Sequence, residues 1–210
     1  MVLKEKSRTD YKFAILKKQF ENFGSEDILN EFGQIIGKII IPFFNPNKNF
    51  TIQDLINDKA ILIKGKKSLF YKRQDLRDKT NKIIGKIKKK KSLIPISKIY
   101  IKNSYGNIDY TAVGDFRSWN YEIINISDDK LIARVKRMNE KSSITQKLHL
   151  NYNNYYFIEF LNQAIENITI IGFVISINNL IYKFHGISDI AGIERRIARL
   201  RPFGPGESLN

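Results

Sequence analysis

The chain has 210 residues, 42% of them hydrophobic and 12% aromatic, which is enough for the core of one ordinary domain and excludes a disordered chain. Its 36 Lys and Arg against 21 Asp and Glu give a net charge of +15, which predicts attraction to polyanions, either nucleic acid or an anionic membrane surface. The absence of cysteine excludes disulfides and thiolate metal sites and makes a reducing, cytoplasmic setting the expectation, with a possible place on the inner face of the membrane.

Residues 1–10 read as a charged N-terminal tail without an apolar signal segment. From 11 to 152, short runs of period-2 alternation are separated by Asn, Asp, Gly and Ser clusters, the signature of antiparallel β structure. Strands are expected near 11–18, 28–30, 34–42, 49–54, 60–64, 69–74, 82–89, 98–103, 108–113, 120–125, 130–137 and 147–152.

An internal repeat supports this pattern. Gln34-Ile35-Ile36-Gly37-Lys38-Ile39 recurs as Lys82-Ile83-Ile84-Gly85-Lys86-Ile87 and, loosened, as Lys130-Leu131-Ile132-Ala133-Arg134-Val135. The spacing is 48 residues each time (positions 36, 84 and 132), and each copy follows a polar turn. Gly37, Gly85 and Ala133 stand at the centre of the copies, where a small side chain marks a bulge, a bend or the close approach of another backbone. Hairpins bent at matching places close into a barrel, which also removes exposed edges. The fold class expected is therefore mainly β, a closed antiparallel barrel of about twelve strands.

The stretch 156–182 is expected to be a helix buried inside that barrel. Phe157, Leu161, Ala164, Ile165 and Ile168 share one helical face, and residues 168–177 are apolar nearly all round, which requires burial on every side. About 10 such residues fall short of the roughly 20 that a bilayer core demands. Because Thr169, Ile170, Ile171, Val174 and Ile175 are β-branched, one more strand is the alternative. Residues 11–182 thus form one barrel domain, and 183–210 an appendage. In the appendage Ser188 is expected to cap a short helix with an apolar stripe of Ile190, Ile193, Ile197 and Leu200 and a basic face of Arg195, Arg196, Arg199 and Arg201, ended by Pro202.

Alternating strands with D/N-x-x-G turns followed by an apolar C-terminal segment resemble the tubby-like barrel superfamily, and within it the LURP-one-related and phospholipid scramblase-like proteins. The residues that carry the resemblance are Tyr11-Lys12-Phe13-Ala14-Ile15, Asn30-Glu31-Phe32-Gly33-Gln34-Ile35-Ile36-Gly37, Phe50-Thr51-Ile52-Gln53-Asp54, Gly114-Asp115-Phe116, Tyr121-Glu122-Ile123 and Leu131-Ile132-Ala133-Arg134-Val135. The resemblance implies twelve strands around a C-terminal helix and a peripheral, lipid-binding membrane protein. In the scramblase branch it also implies transbilayer lipid movement. Asn178-Asn179 stand where scramblase-like segments usually carry acidic residues linked to calcium, which argues against a calcium role here.

Lys86, Lys88, Lys89, Lys90 and Lys91 form the densest charge cluster, with Lys64, Lys66, Lys67, Lys72 and Arg73 nearby in sequence. Near an anionic leaflet such lysines contribute about 1 kcal/mol each. The expected anionic head-group site is therefore Lys86, Lys88, Lys89, Lys90 and Lys91 together with Arg195, Arg196 and Arg199. The partner is an anionic membrane surface or a phosphoinositide-type lipid, and the C-terminal helix is a candidate contact for a protein partner. Residues 92–96, Phe43 with Phe44, and Phe116 with Trp119 are candidates for shallow insertion. The alternative is a nucleic-acid surface, with Tyr71, Tyr100, Tyr105, Tyr110 and Tyr121 as stacking platforms; no RNP, KH or zinc pattern accompanies it.

Enzymatic chemistry has little footing. His149 and His185 each lack a second ligand at metal spacing, and His149 reads as an outward strand residue between Leu148 and Leu150. No nucleophile elbow, P-loop or dinucleotide fingerprint is present. Asp54, Asp75, Asp78, Asp128 and Asp129 read as turn residues. No catalytic residue, metal or cofactor is expected.

Overall fold

The computed structural model describes residues 11–18, 23–43, 49–67, 71–90, 98–138, 143–151, 155–162 and 165–181, with the side chains of 67, 71, 72, 89, 90 and 143–145 left aside. Its strands are β1 (Phe13–Lys17), β2 (Gly24–Leu29), β3 (Ile35–Ile41), β4 (Phe50–Asp54), β5 (Lys59–Lys67), β6 (Tyr71–Asp78), β7 (Ile83–Lys90), β8 (Lys98–Lys102), β9 (Ile108–Asp115), β10 (Asn120–Asn125), β11 (Leu131–Arg137) and β12 (Tyr155–Phe160). Two helices, α1 (Ser143–Leu148) and α2 (Asn167–Ile181), flank β12 in the chain. Each strand pairs antiparallel with its neighbours in sequence, and β12 lies between β11 and β1, closing a twelve-stranded barrel. Alternation sets the faces. In β8, Ile99 and Ile101 point into the core while Lys98, Tyr100 and Lys102 point out.

Antiparallel connection places alternate turns at opposite ends. The upper rim carries the β2–β3, β4–β5, β6–β7, β8–β9 and β10–β11 turns; the lower rim carries the remaining connections. Three upper turns share one device. Asn30 Oδ1 accepts from the backbone N–H groups of Phe32 and Gln34, each at 2.9 Å. Asp78 Oδ1 accepts from Thr80 and Lys82 at 2.9 and 3.0 Å, and Asn103 Oδ1 from Tyr105 and Asn107 at 3.0 and 3.1 Å. Each turn ends on a left-handed residue, Gly33 (φ 78°), Asn81 (φ 68°) or Gly106 (φ 94°), a conformation that Gly and Asn tolerate. The 48-residue repeat maps onto β3, β7 and β11, every fourth strand. A register shift precedes each copy, at Ile28/Leu29, Leu76/Arg77 and Ile123/Ile124. The small central residues mark close approach, as expected. A Cβ on Gly37 would stand 2.5 Å from the Gln53 carbonyl oxygen, and one on Gly85 would stand 3.0 Å from the Phe173 ring of α2.

α2 runs down the barrel interior. Glu166, just before it, pairs with Lys59 beside the β4–β5 turn of the upper rim. Gly172 lies against Leu76 and Ile61, Phe173 meets Tyr110 at 5.7 Å, and Asn178 reaches Tyr121 and Tyr156, so strands on both sides of the barrel contact the helix. Residues 170–180 are all buried. β-branched side chains disfavour a helix locally. A closed barrel, however, presents its interior with no sheet edge, so a segment there must satisfy its backbone N–H and C=O groups within itself, which a helix does.

Two expectations are corrected here. The helix does not begin near 156: residues 155–160 are β12, with the alternating burial of a strand, registered on β1 from Phe13↔Glu159 to Lys17↔Tyr155. Nor do 147–151, the described part of the expected 147–152 strand, form one. Residues 143–148 are helical, and His149 follows exposed at φ 51°. The Phe157/Leu161 spacing suits a helix or a strand equally, and the unpaired edges of β1 and β11 select the strand.

Candidate anion-binding surface

The outer wall made by β5, β6, β7 and β8 is cationic. Along β5 the residues alternating with inward Ile61 and Ile63 are Lys64 and Lys66; along β6, with inward Leu76, they are Arg73, Asp75 and Arg77. β7 adds Lys86 and Lys88 around inward Ile87, and β8 adds Lys98, Tyr100 and Lys102. Cross-strand register sets like charges abreast: Lys66↔Arg73↔Lys88 across three strands, and Lys86↔Lys102 beside them. Directly opposed like charges destabilise a sheet by up to about 1 kcal/mol per pair. Four strands at the usual spacing make this wall about 14 Å wide.

Asp75 sits at the centre. Its direct cross-strand neighbours are Lys64 and Lys86. Arg73 Nη2 donates to Asp75 Oδ2 at 2.9 Å, with Arg73 Nε in ion-pair contact 2.7 Å from Oδ1, and Arg77 Nη2 stands 3.8 Å from Oδ2. Together they leave Asp75 with no exposed surface although it points away from the core. Three further cations are tied upward. Lys64 Nζ donates to Asn81 Oδ1 at 3.0 Å, Arg77 Nη1 to the Asn81 carbonyl at 2.8 Å, and Lys86 Nζ to the Ser104 carbonyl at 3.0 Å. Lys66, Lys88 and Lys98 are exposed along the lower half of the wall, and the Lys98 ammonium lies 5.4 Å from the centre of the Tyr100 ring.

Of the expected site residues, Lys86 and Lys88 are on this wall. Lys89 and Lys90 continue β7 in register with Lys72 and Tyr71. Lys91, Arg195, Arg196 and Arg199 lie outside the described residues, as do 92–96, Phe44 and His185. Sequence reasoning missed Lys98, Lys102, Arg77 and the role of Asp75, which is a mid-strand residue and not part of a turn. The Arg-x-Asp-x-Arg alternation of β6 was the available signal, because i and i+2 share a face in a strand.

The aromatic expectations divide. Phe43 is exposed, but Phe116 and Trp119 are buried: the 115–119 turn folds them inward, where Phe116 meets Tyr121 at 4.8 Å and Trp119 stacks on Tyr156 at 4.2 Å. Burying their large apolar faces outweighs leaving them at the rim. Tyr110 and Tyr121 also face the interior, whereas Tyr100 and Tyr105 are exposed. The tyrosines thus do not form one stacking surface.

Inside the barrel, Tyr121 donates to Asn178 Oδ1 at 3.4 Å and Asn178 Nδ2 donates to the Tyr156 hydroxyl oxygen at 3.2 Å. Burial pushes the Tyr156 hydroxyl upward. Burial, with the Asp54 charge, pushes Tyr11 up to about 12, so both phenols stay protonated. The void lined by Tyr11, Gly37, Asp54, Ile168 and Ile171 measures about 10 Å³, the size of one water. Among the described residues no group of three or more metal-ligating side chains converges, and no helix is long and apolar enough to cross a membrane.

No protein-family model matches the sequence, and no curated protein does. The fold is similar to the X-ray structure of the Arabidopsis thaliana protein AT5G01750, with a TM-score of 0.51 and 12% identity over 80% of this chain and 90% of that one. At that identity the similarity establishes a shared barrel architecture and carries no activity with it.

Proposed function

We propose that the protein is a peripheral membrane protein that binds anionic phospholipid through the β5–β8 wall, in the manner of the tubby-like, LURP-one-related and phospholipid scramblase-like proteins. The observation that supports this reading most is the Lys66↔Arg73↔Lys88 row. Asp75 engages Arg73 in that row, and the exposed Lys66 and Lys88 on either side are the charges that an anionic surface attracts. The role is binding without catalysis, at the outer surface, since α2 fills the interior. Nucleic acid is the weaker reading, because Tyr110 and Tyr121 are turned inward away from any stacking platform.

Flotation with vesicles of phosphatidylcholine alone, or mixed with phosphatidylserine, tests the proposal. The protein should float only with the mixed vesicles and fall away as salt rises. Replacing Lys66 and Lys88 together by Gln removes two charges worth about 1 kcal/mol each at a leaflet, so affinity should fall about thirty-fold. Flotation that ignores phosphatidylserine removes the proposal.

A further inference from the structure

Phe23 and Phe43 come from separate lower-rim connections, at the start of β2 and beyond the end of β3, and pack edge-on with ring centres 5.1 Å apart. They are 55% and 77% exposed. The 115–119 turn of the same rim buries both its aromatics, so this rim can cover aromatic rings, yet this pair stands out. Around the barrel the pair is flanked by cations on both sides. In strand order Lys18 and Arg137 lie on the β1 and β11 side, and Lys66, Lys88 and Lys98 on the β5–β8 side. Burial, and after it the neighbouring Arg137 charge, pushes the Lys18 ammonium below its ordinary value. The upper rim also exposes apolar side chains, but singly: Leu55 beside Asp58, Ile126 beside Asp128 and Asp129, and Phe32 under the Lys147 ammonium. The lower-rim pair differs in presenting two exposed rings in mutual contact.

We infer that the protein docks end-on, lower rim toward an anionic bilayer, with the Phe23–Phe43 pair inserted between head groups and the flanking lysines and arginines on the leaflet surface. This rests on the lipid-binding reading above and adds its orientation. Aromatic rings favour the membrane interface, and the ring of cations around them holds the barrel upright.

Because the chain has no cysteine, F43C and Y105C each accept a single polarity-sensitive fluorophore, one at each rim. With vesicles of phosphatidylcholine and phosphatidylserine, the label at 43 should shift to the blue and resist an aqueous quencher, while the label at 105 should do neither. In the unlabelled protein, Phe23→Ser with Phe43→Ser should weaken vesicle binding about tenfold and leave its salt dependence unchanged, since only apolar contact is lost. Binding with no shift at 43, or with the shift at 105, overturns the orientation and leaves lipid binding standing. No binding at all removes both.

Discussion

The two rims of one barrel are built from the same hairpin repeat and differ in what they spend their polar residues on. At the upper rim Asn30, Asp78 and Asn103 direct their side chains inward to staple their own turns, and Asp54 does the same with the N–H groups of Ile56 and Asn57 at 2.9 and 3.0 Å. At the lower rim the 115–119 turn repeats the device through Asp115, but the strands of the β5–β8 wall end there in exposed lysines, Lys66, Lys88 and Lys98. One end is organised for stability and the other carries surplus charge. The lesson is that turn chemistry and surface charge are separable even when a repeat constrains both, because an Asx staple acts over four residues while a charged wall needs several strands in register.

Four perturbations sharpen that contrast, beginning with the largest. Gly37→Val should affect both ends by disrupting the barrel where β3 meets β4. Its Cβ would meet the Gln53 backbone oxygen at 2.5 Å, closer than a real contact allows, and the Ile28 side chain at 3.3 Å. A loss of about 3 kcal/mol or more in urea unfolding is expected, with vesicle binding reduced alongside. Asp75→Asn should separate stability from binding. It strips the charge from a fully buried carboxylate held by Arg73 and Arg77, costing about 2 kcal/mol of stability, while the wall gains net positive charge and binds anionic vesicles more tightly. If stability and binding move in the same direction, the division between the ends fails.

The smallest effect belongs to the upper rim alone. Asn30→Ala removes the acceptor for two backbone N–H groups and should cost about 1 kcal/mol with vesicle binding unchanged. Asp78 gives that end its pH dependence. The Thr80 hydroxyl above all, with the Thr80 and Lys82 N–H groups, holds its carboxyl below its ordinary value of 3.8, and the Lys130 side chain does likewise for Asp128. A depressed native pKa means that the contribution is complete above about pH 4 and is lost as pH falls through 3.8 toward the native value. Acid unfolding of Asp78→Ala should therefore show a shallower limb in that window.

Much of this was legible in the chain. Eleven of the expected strands overlap strands of the barrel, though β2 is Gly24–Leu29 where 28–30 is expected and β6 runs on to Asp78 past the expected end at 74. The overlap arises because both signals are local: a period of two and an Asx or Gly turn need only neighbouring residues. The all-round apolar character of 168–177 likewise announced burial without any knowledge of what surrounds it. The candidate surface was half legible. Lys86 and Lys88 stand out in a lysine-rich run, but Lys98 and Lys102 lie a strand away and Asp75 reads in isolation as a turn residue. Only the pairing of β6 with β5 and β7 shows that Asp75 is the centre of a cationic wall.

The amino-acid sequence by itself determined a barrel of about twelve antiparallel strands, its stapled turns and its buried C-terminal segment, since each follows from spacing within a few residues. Tertiary structure alone decided which six residues close the barrel, whether Phe116 and Trp119 turn in or Phe23 and Phe43 stand out, and which cations share one face. Those outcomes depend on register and closure between residues far apart in the chain. A one-residue shift would exchange every inward and outward side chain of a strand, and only the paired neighbour sets that choice.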